Sequence, residues 1–394
     1  MDVLFYRYGS ICEPDIIAAF SSFGINVIEE KTEVKNKAFT PIQRIELVNE
    51  LLTRNKPTFV FSINFFPAIA EVCHIHKVLY LCWTVDSPVM PLFTKPIQYS
   101  TNRIFLFDRA QYERFHPYNP DCIFYLPLAS ATSRFDTAIQ SITAQDKASY
   151  SADISFVGSL YSEKNPLKEL TGLSDHAKGY IQGMVDVALQ VYGYNFMEDA
   201  LSDTFLSEFK QVIPHFSSHF ELLTDVYKYT VAHQYLGAEA AETERIRTLN
   251  KLAEHFSVDL YTASDTSPLR GVRTHGPIES MTAMPKVLQL SKINLNMTIK
   301  PIQTGLPLRI FDILGCGGFL MTNYQEELTD YFEIGKDLEV YSSTEELVEK
   351  CAYYLAHEEQ RRQIARQGYE SVKQFHTYPL RIAEMIRIAS SPVK

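Results

Sequence analysis

Two successive α/β blocks, each a parallel sheet flanked by helices in a Rossmann-like pattern, are the fold that this sequence predicts. Three observations predict it. The chain has 394 residues, beyond the roughly 250–300 at which a single core stops growing. Its strand candidates are short continuous apolar runs separated by helical stretches, as in parallel strands buried on both faces. The alternation first lapses in the Ser/Thr/Ala-rich stretch SATSRFDTAIQSITAQDKASYSA, and then restarts. That lapse is read as an interdomain linker over 131–152.

The first block, residues 1–130, opens with the strand VLFYRY, which ends at Gly9-Ser10. A helix follows from Pro14 to Gly24, then the strand INVIEE and the helix PIQRIELVNELLTRN. FVFSIN, VLYLCWTVD, RIFLFD and CIFYLPL are the remaining strands. The second block, 153–377, opens with DISFVGS. Residues 163–237 show helical stretches and almost no strand signal, which reads as a helical insertion. Alternation resumes through VDLYTAS, VRTHGP, INLNMT and FLMTN, and a last helix covers 378–394.

Composition narrows the function. A net charge of −10 argues against a nucleic-acid partner, which needs a basic footprint. The N-terminus MDVLFYRYGS lacks the basic and apolar regions of a signal peptide, and no apolar run approaches a membrane span. Cys12, Cys73, Cys82, Cys122, Cys316 and Cys351 are scattered without a CxxC pair, as free thiols in a reducing compartment would be. A cytoplasmic location is expected, and no metal site. His74 and His76 lack a third ligand, and His215 and His219 lack an HExxH setting.

The stretch TGLPLRIFDILGCGGFLMTN carries the chemistry. A Thr304-Gly305-Leu306-Pro307 loop leads into a helix with Pro307 at its first position. Free amides and the dipole of such a start can cradle a diphosphate. Arg309 can add a bidentate clamp. Asp312 is placed to accept hydrogen bonds from ribose hydroxyls. Ordinary helix capping would also put proline and acidic residues there.

These runs, with FVGSLY, YTASD, GPIESMTAMPKVLQLSKINLNMT and the tail RRQIARQGYESVKQFHTY, resemble the spore-maturation CgeB-like glycosyltransferases. The resemblance spans most of 153–390 and implies a GT-B fold: two Rossmann-like domains facing a cleft, with the donor nucleotide on the C-terminal one and a last helix crossing back to the first. It implies that Asp312 matches the second acid of a Glu-x7-Glu motif. The first acid would fall at Thr304, a departure from the pattern. Leu308 and Arg309 match the helix start that meets the diphosphate, Gly158 and Ser159 the turn after the first strand, and Gly276, Pro277 and Ile278 the segment that lines the base. Without an Asp-x-Asp motif at a strand end, a metal-independent reaction needing no cofactor is implied, with Arg309 stabilising the leaving diphosphate.

In the first block, Asp86 ends a strand before Ser87-Pro88 and is either a base toward an acceptor hydroxyl or a turn cap. Gly9 and Ser10 form a turn where a sugar could approach closely, or a plain turn. Glu13 and Asp15 fit a helix first turn. Trp83 suits a core position or a sugar-stacking one. Lys164 either reaches a phosphate or is solvated. The insertion's aromatics, Tyr180, Tyr192, Tyr194, Phe196, Tyr227, Tyr229 and Tyr235, suit a core, an acceptor or a subunit contact.

The expected activity is transfer of a hexosyl or N-acetylhexosaminyl unit from a nucleotide-diphosphate sugar, a UDP-sugar foremost, to a hydroxyl on a protein or glycan. A sugar-nucleotide epimerase and a non-catalytic nucleotide-sugar-binding protein are the alternatives. A homo-oligomer, the donor sugar and retention or inversion stay open.

Overall fold

The computed structural model describes residues 1–390; residues 391–394, the end of the expected C-terminal helix, lie outside the described residues. The chain divides into two compact units. One holds Met1–Ala129, Ser217–Val226 and the described residues from Thr377 on; the other holds Ser130–Phe216 and Tyr227–His376. Among the described residues no helix is long and apolar enough to cross a membrane.

Each unit is built on a six-stranded, wholly parallel sheet. In the first, β1 (Asp2–Tyr6), β2 (Asn26–Glu30), β3 (Phe59–Ile63), β4 (Leu79–Trp83), β5 (Asn102–Leu106) and β6 (Ile123–Tyr125) take the order β2-β1-β3-β4-β5-β6. The apolar runs sit inside: β3 and β5 have no exposed residue, while the edge strand β2 has none buried. The helix Tyr378–Ala389 packs beside the helix Glu13–Ser22 in this unit.

In the second unit, β7 (Ala152–Val157), β8 (Val258–Tyr261), β9 (Arg273–His275), β10 (Ser291–Asn296), β11 (Leu320–Asn323) and β12 (Glu339–Tyr341) take the order β12-β11-β10-β7-β8-β9. The chain winds outward from β7 to β9, then returns to the far side of β7 for β10 to β12. This is doubly wound Rossmann order, with its switch point between β7 and β10. In the first sheet the switch falls between β1 and β3. Ligands of such sheets bind outside the carboxyl ends of the strands at the switch.

Three sequence expectations need correction. Residues 131–152 are not a bare linker: they form the helices Thr132–Gln140 and Ala144–Tyr150 within the second unit. Both pack against the helix Ala283–Leu290. In the first of these helices Phe135 and Ala138 are buried, a short apolar face that composition conceals; the second has no buried residue. The strand candidate VLYLCWTVD stops at Trp83, so Asp86 lies three residues past β4. The insertion 163–237 is helical, but Ser217–Val226 within it belongs to the first unit. There Leu222 bridges Thr94 in antiparallel fashion, and the Lys95 amide donates to the Glu221 carbonyl at 2.8 Å. The rest of the insertion has its own core, including Ile181, Phe205, Phe209, Tyr227 and Val231. It ends in a π-helical stretch, Thr230–Leu236, continuous with the helix Gly237–Ala253.

A helix that only linked would tolerate truncation of Phe135. Here the ring is fully buried, so Phe135→Ala should destabilise the protein by about 3–5 kcal/mol, read as a lower midpoint in urea unfolding.

Candidate functional site

Past β7 the chain turns through Gly158 and Ser159. The Gly158 amide donates to the Tyr261 carbonyl at 3.1 Å, tying this turn to the end of β8. Ser159 Oγ donates to Glu163 Oε1 at 2.6 Å and accepts from the Tyr161 amide at 2.7 Å. Arg245, from the helix Gly237–Ala253, reaches over both sides of the switch. Its Nη1 donates to the Ser159 carbonyl at 2.5 Å and its Nη2 to the Met297 carbonyl at 2.9 Å. The guanidinium lies 5.3 Å from the Phe156 ring centroid and 4.6 Å from that of Tyr161. Arg245 is 8% exposed. Burial pulls its pKa down, Tyr161 and Glu244 oppose that, and nearby Arg309 adds to it. Two guanidiniums are thus within electrostatic reach at one switch point.

The helix Leu308–Gly315 begins at Leu308, and Pro307 is its cap rather than its first residue, with ψ of 156° and no side chain capping the start. The Leu308 and Arg309 amides therefore lack intrahelical acceptors. Arg309 Nη1 donates to Asp312 Oδ2 at 3.0 Å and touches Met284 Sδ. Asp312 is buried, and its carboxylate holds Arg309, whose side chain stays 22% exposed. Of this pair the guanidinium is the accessible head. At the far end Gly317 takes φ of +69°, and a Cβ on Gly318 would lie 2.7 Å from the Leu288 carbonyl oxygen, so the double glycine is needed for the return into β11.

The loop before this helix is stapled from one side. Asn323 Oδ1 accepts the Thr298 amide at 2.7 Å. Gln325 Nε2 donates to the Ile302 and Gly305 carbonyls, each at 3.2 Å. Thr304 Oγ1 donates to Glu327 Oε1 at 2.7 Å, and the Glu327 amide returns to the Thr304 carbonyl at 3.2 Å. Asn323, Gln325 and Glu327 are all buried. Asn323 ends β11, while Gln325 and Glu327 lie in the turn that leads into the helix Leu328–Tyr331. Position 304 carries no acid, and its hydroxyl is held by the fully buried Glu327 carboxylate.

Gly276, Pro277 and Ile278 follow the edge strand β9, where Gly276 and Pro277 are exposed and Ile278 is half-buried. β9 lies next to β8, so this segment shares the carboxyl-end side with Gly158 and Ser159. Lys164 is exposed, with its Nζ 5.1 Å from the Tyr161 ring centroid. It stands beside the Ser159 turn.

In the first unit a second cluster sits at the ends of β1, β3 and β4. Asn64 Nδ2 donates to Asp86 Oδ2 at 2.6 Å and to the Tyr8 hydroxyl at 2.9 Å, while its Oδ1 accepts the Val85 amide at 3.0 Å. Asp86 is an exposed carboxylate held in place by an amide, beside buried Ser87. Burial and the Asp86 charge push the Tyr8 pKa up. Gly9 takes φ of +98°. Glu13 does more than favour a helix dipole: its Oε1 accepts the amides of Tyr8, Gly9 and Ser10 at 2.8, 2.8 and 3.1 Å, and its Oε2 pairs with Arg7. The amides at Gly9 and Ser10 thus already serve a buried carboxylate. Trp83 is fully buried with its indole N–H on the Leu126 carbonyl at 3.1 Å, so it is a core residue. Among the described residues no group of three or more His, Cys, Asp or Glu is placed to share a metal ion.

Sequence reasoning passed over Arg245, Glu327, Asn64 and Tyr8. Arg245 left a trace: it occupies a position on the buried stripe of its helix shared with Ala238, Ala241, Leu249 and Leu252, where a charged residue needs a reason.

Residues 243–387 match the profile of a family described as Glycosyl transferase-like. No curated protein matches the chain in sequence. Among solved structures, the chain is similar to an Anabaena protein, HepE, in complex with UDP-glucose, at 9% identity and a TM-score of 0.56 over 100% of both chains. It is similar to a sucrose-phosphate synthase from Thermosynechococcus elongatus, at 9% identity and 0.54 over 98% of both. A glycosyltransferase from Rickettsia africae is similar at 10% identity and 0.52, over 98% of this chain and 97% of that one. These likenesses show the fold, which is GT-B, and with the family match they support glycosyl transfer in general. They do not reach the CgeB-like subgroup.

Gln325 holds two loop carbonyls at once. Gln325→Leu should speed amide hydrogen exchange across residues 302–306 and cost about 1–3 kcal/mol of stability for the groups left unpaired.

Proposed function

We propose that this protein is a glycosyltransferase whose donor is a nucleoside-diphosphate sugar, a UDP-sugar foremost, bound on the second unit. The transferred group is a hexosyl or N-acetylhexosaminyl unit, and the acceptor is a hydroxyl of a protein or glycan. One observation carries this reading: Arg309 stands at an uncapped helix start beside the switch point of a Rossmann sheet, which Arg245 spans within its electrostatic reach. Paired guanidiniums and free amides are what a diphosphate needs. The HepE structure, with its bound UDP-glucose, adds support.

In the reaction the acceptor oxygen bonds to the anomeric carbon as the bond from that carbon to the diphosphate oxygen breaks. Negative charge grows on the diphosphate, where Arg309 and the Leu308 and Arg309 amides stabilise it, so the chain's own cations supply the charge relief. Asp312 acts through Arg309 by fixing its rotamer. Asp86 is the candidate acceptor of the hydroxyl proton. Gly158, Ser159 and Gly276 to Ile278 are the donor-side backbone segments. The CgeB-like affiliation is a finer reading that rests on the motif residues of the second unit.

Thermal denaturation with UDP at about a hundred times its dissociation constant should show roughly 2.7 kcal/mol of stabilisation, falling below about 1 kcal/mol in Arg309→Ala. An unchanged shift in that variant removes the site assignment. Asp86→Asn should leave UDP binding intact and lower the transfer rate by about 10²–10⁴-fold. Epimerised sugar nucleotide formed without release of UDP would identify an epimerase instead.

A further inference from the structure

Glu244 and Arg245 are neighbours on one helix but serve different places. Arg245 spans the switch point, whereas Glu244 lines a separate recess of about 810 Å³ in the second unit, formed by residues 186–192, the helix Gly237–Ala253 and the start of the helix Thr344–Ala356. Glu244 is 4% exposed, and its Oε1 has no hydrogen-bond partner. A buried polar atom left unpaired costs about 1–3 kcal/mol, so a partner donor there is worth binding.

The surroundings define that donor. Tyr192 lines the recess with Glu244, and burial raises the Glu244 pKa against the pull of Lys300 and Arg245. Lys300 Nζ donates to the Val191 carbonyl at 2.8 Å and lies 4.5 Å from the Tyr192 ring centroid. Lys300 and Arg245 already offset the Glu244 charge, so its free oxygen can accept a hydrogen bond without calling for a cation. Anions fare no better. Arg247 is the one cation among the lining residues, and Asp186 engages it at 2.7 Å, while Glu345 adds another carboxylate. Gln190 and Ser342 supply neutral polar groups on the rim. Neutral hydroxyls are the ligand groups that these surroundings accept.

We infer that this recess is a second carbohydrate site, distinct from the nucleotide site, which takes one neutral sugar unit with a ring hydroxyl donating to Glu244 Oε1. Carboxylates, amides and a tyrosine around a pocket of this size fit a hydroxyl-rich ring, and the helical insertion supplies Tyr192 and Gln190 to it.

The test is saturation-transfer NMR on the full chain held in excess UDP, with methyl glycosides of glucose, galactose, mannose and N-acetylglucosamine as probes and putrescine and methyl phosphate as controls. At least one glycoside should show transfer with UDP present. Glu244→Met should weaken it at least ten-fold, and Ser342→Trp, on the exposed rim, should abolish it. No transfer to any glycoside overturns the inference, as does transfer to putrescine or methyl phosphate alone, or binding that survives Ser342→Trp. Should Glu244→Met not fold, the rim variant decides. A protein that ignores UDP but binds a glycoside through Glu244 would separate this inference from the proposed function.

Discussion

A buried guanidinium laid across two backbone carbonyls is the interaction on which the second unit's site depends. Arg245 receives both its hydrogen-bond acceptors from residues just past β7 and β10, the two strands that flank the switch. A carboxylate partner would cancel the charge, whereas carbonyls satisfy the donors and leave it in place. Desolvation makes that charge costly to hold, and the fold meets the cost with hydrogen bonds and two aromatic faces. The guanidinium is therefore fixed between the two strands that flank the switch point.

The same economy governs the loop ahead of the Leu308 helix. A helix start can grip an anion only when its approach loop does not fold over the free amides. Buried Asn323, Gln325 and Glu327 pin that loop at four places. Thr304 illustrates how chemistry and chain position come apart. The motif expects an acid there; this chain has a hydroxyl, with a buried carboxylate from the β11 exit behind it. The loop keeps its shape through a contact 23 residues away in sequence.

The fold was largely legible because parallel strands buried on both faces write themselves as unbroken apolar runs. The helix start after Pro307 was legible because Gly and Pro are local signals. What stayed hidden was non-local. The helix Thr132–Gln140 looks polar because only a short buried face of it is apolar. Arg245 is a charged residue on an apolar stripe, a signal that means little until the strand order shows where the stripe points. Glu327 and Gln325 gain meaning only beside the loop that they hold, and Asn64 only beside Asp86 and Tyr8.

The division of the chain has a consequence for how such a protein could be rearranged. Neither unit is a contiguous stretch of sequence, since Ser217–Val226 and the residues from Thr377 on return to the first. Modular exchange at the obvious boundary near Ala129 would carry off the partner of Thr94 and the helix beside Glu13–Ser22. A chimera that trades one unit for another must therefore bring its own substitutes for both returning pieces. Recombination within this architecture is constrained less by the sheets than by the threads that run back to them.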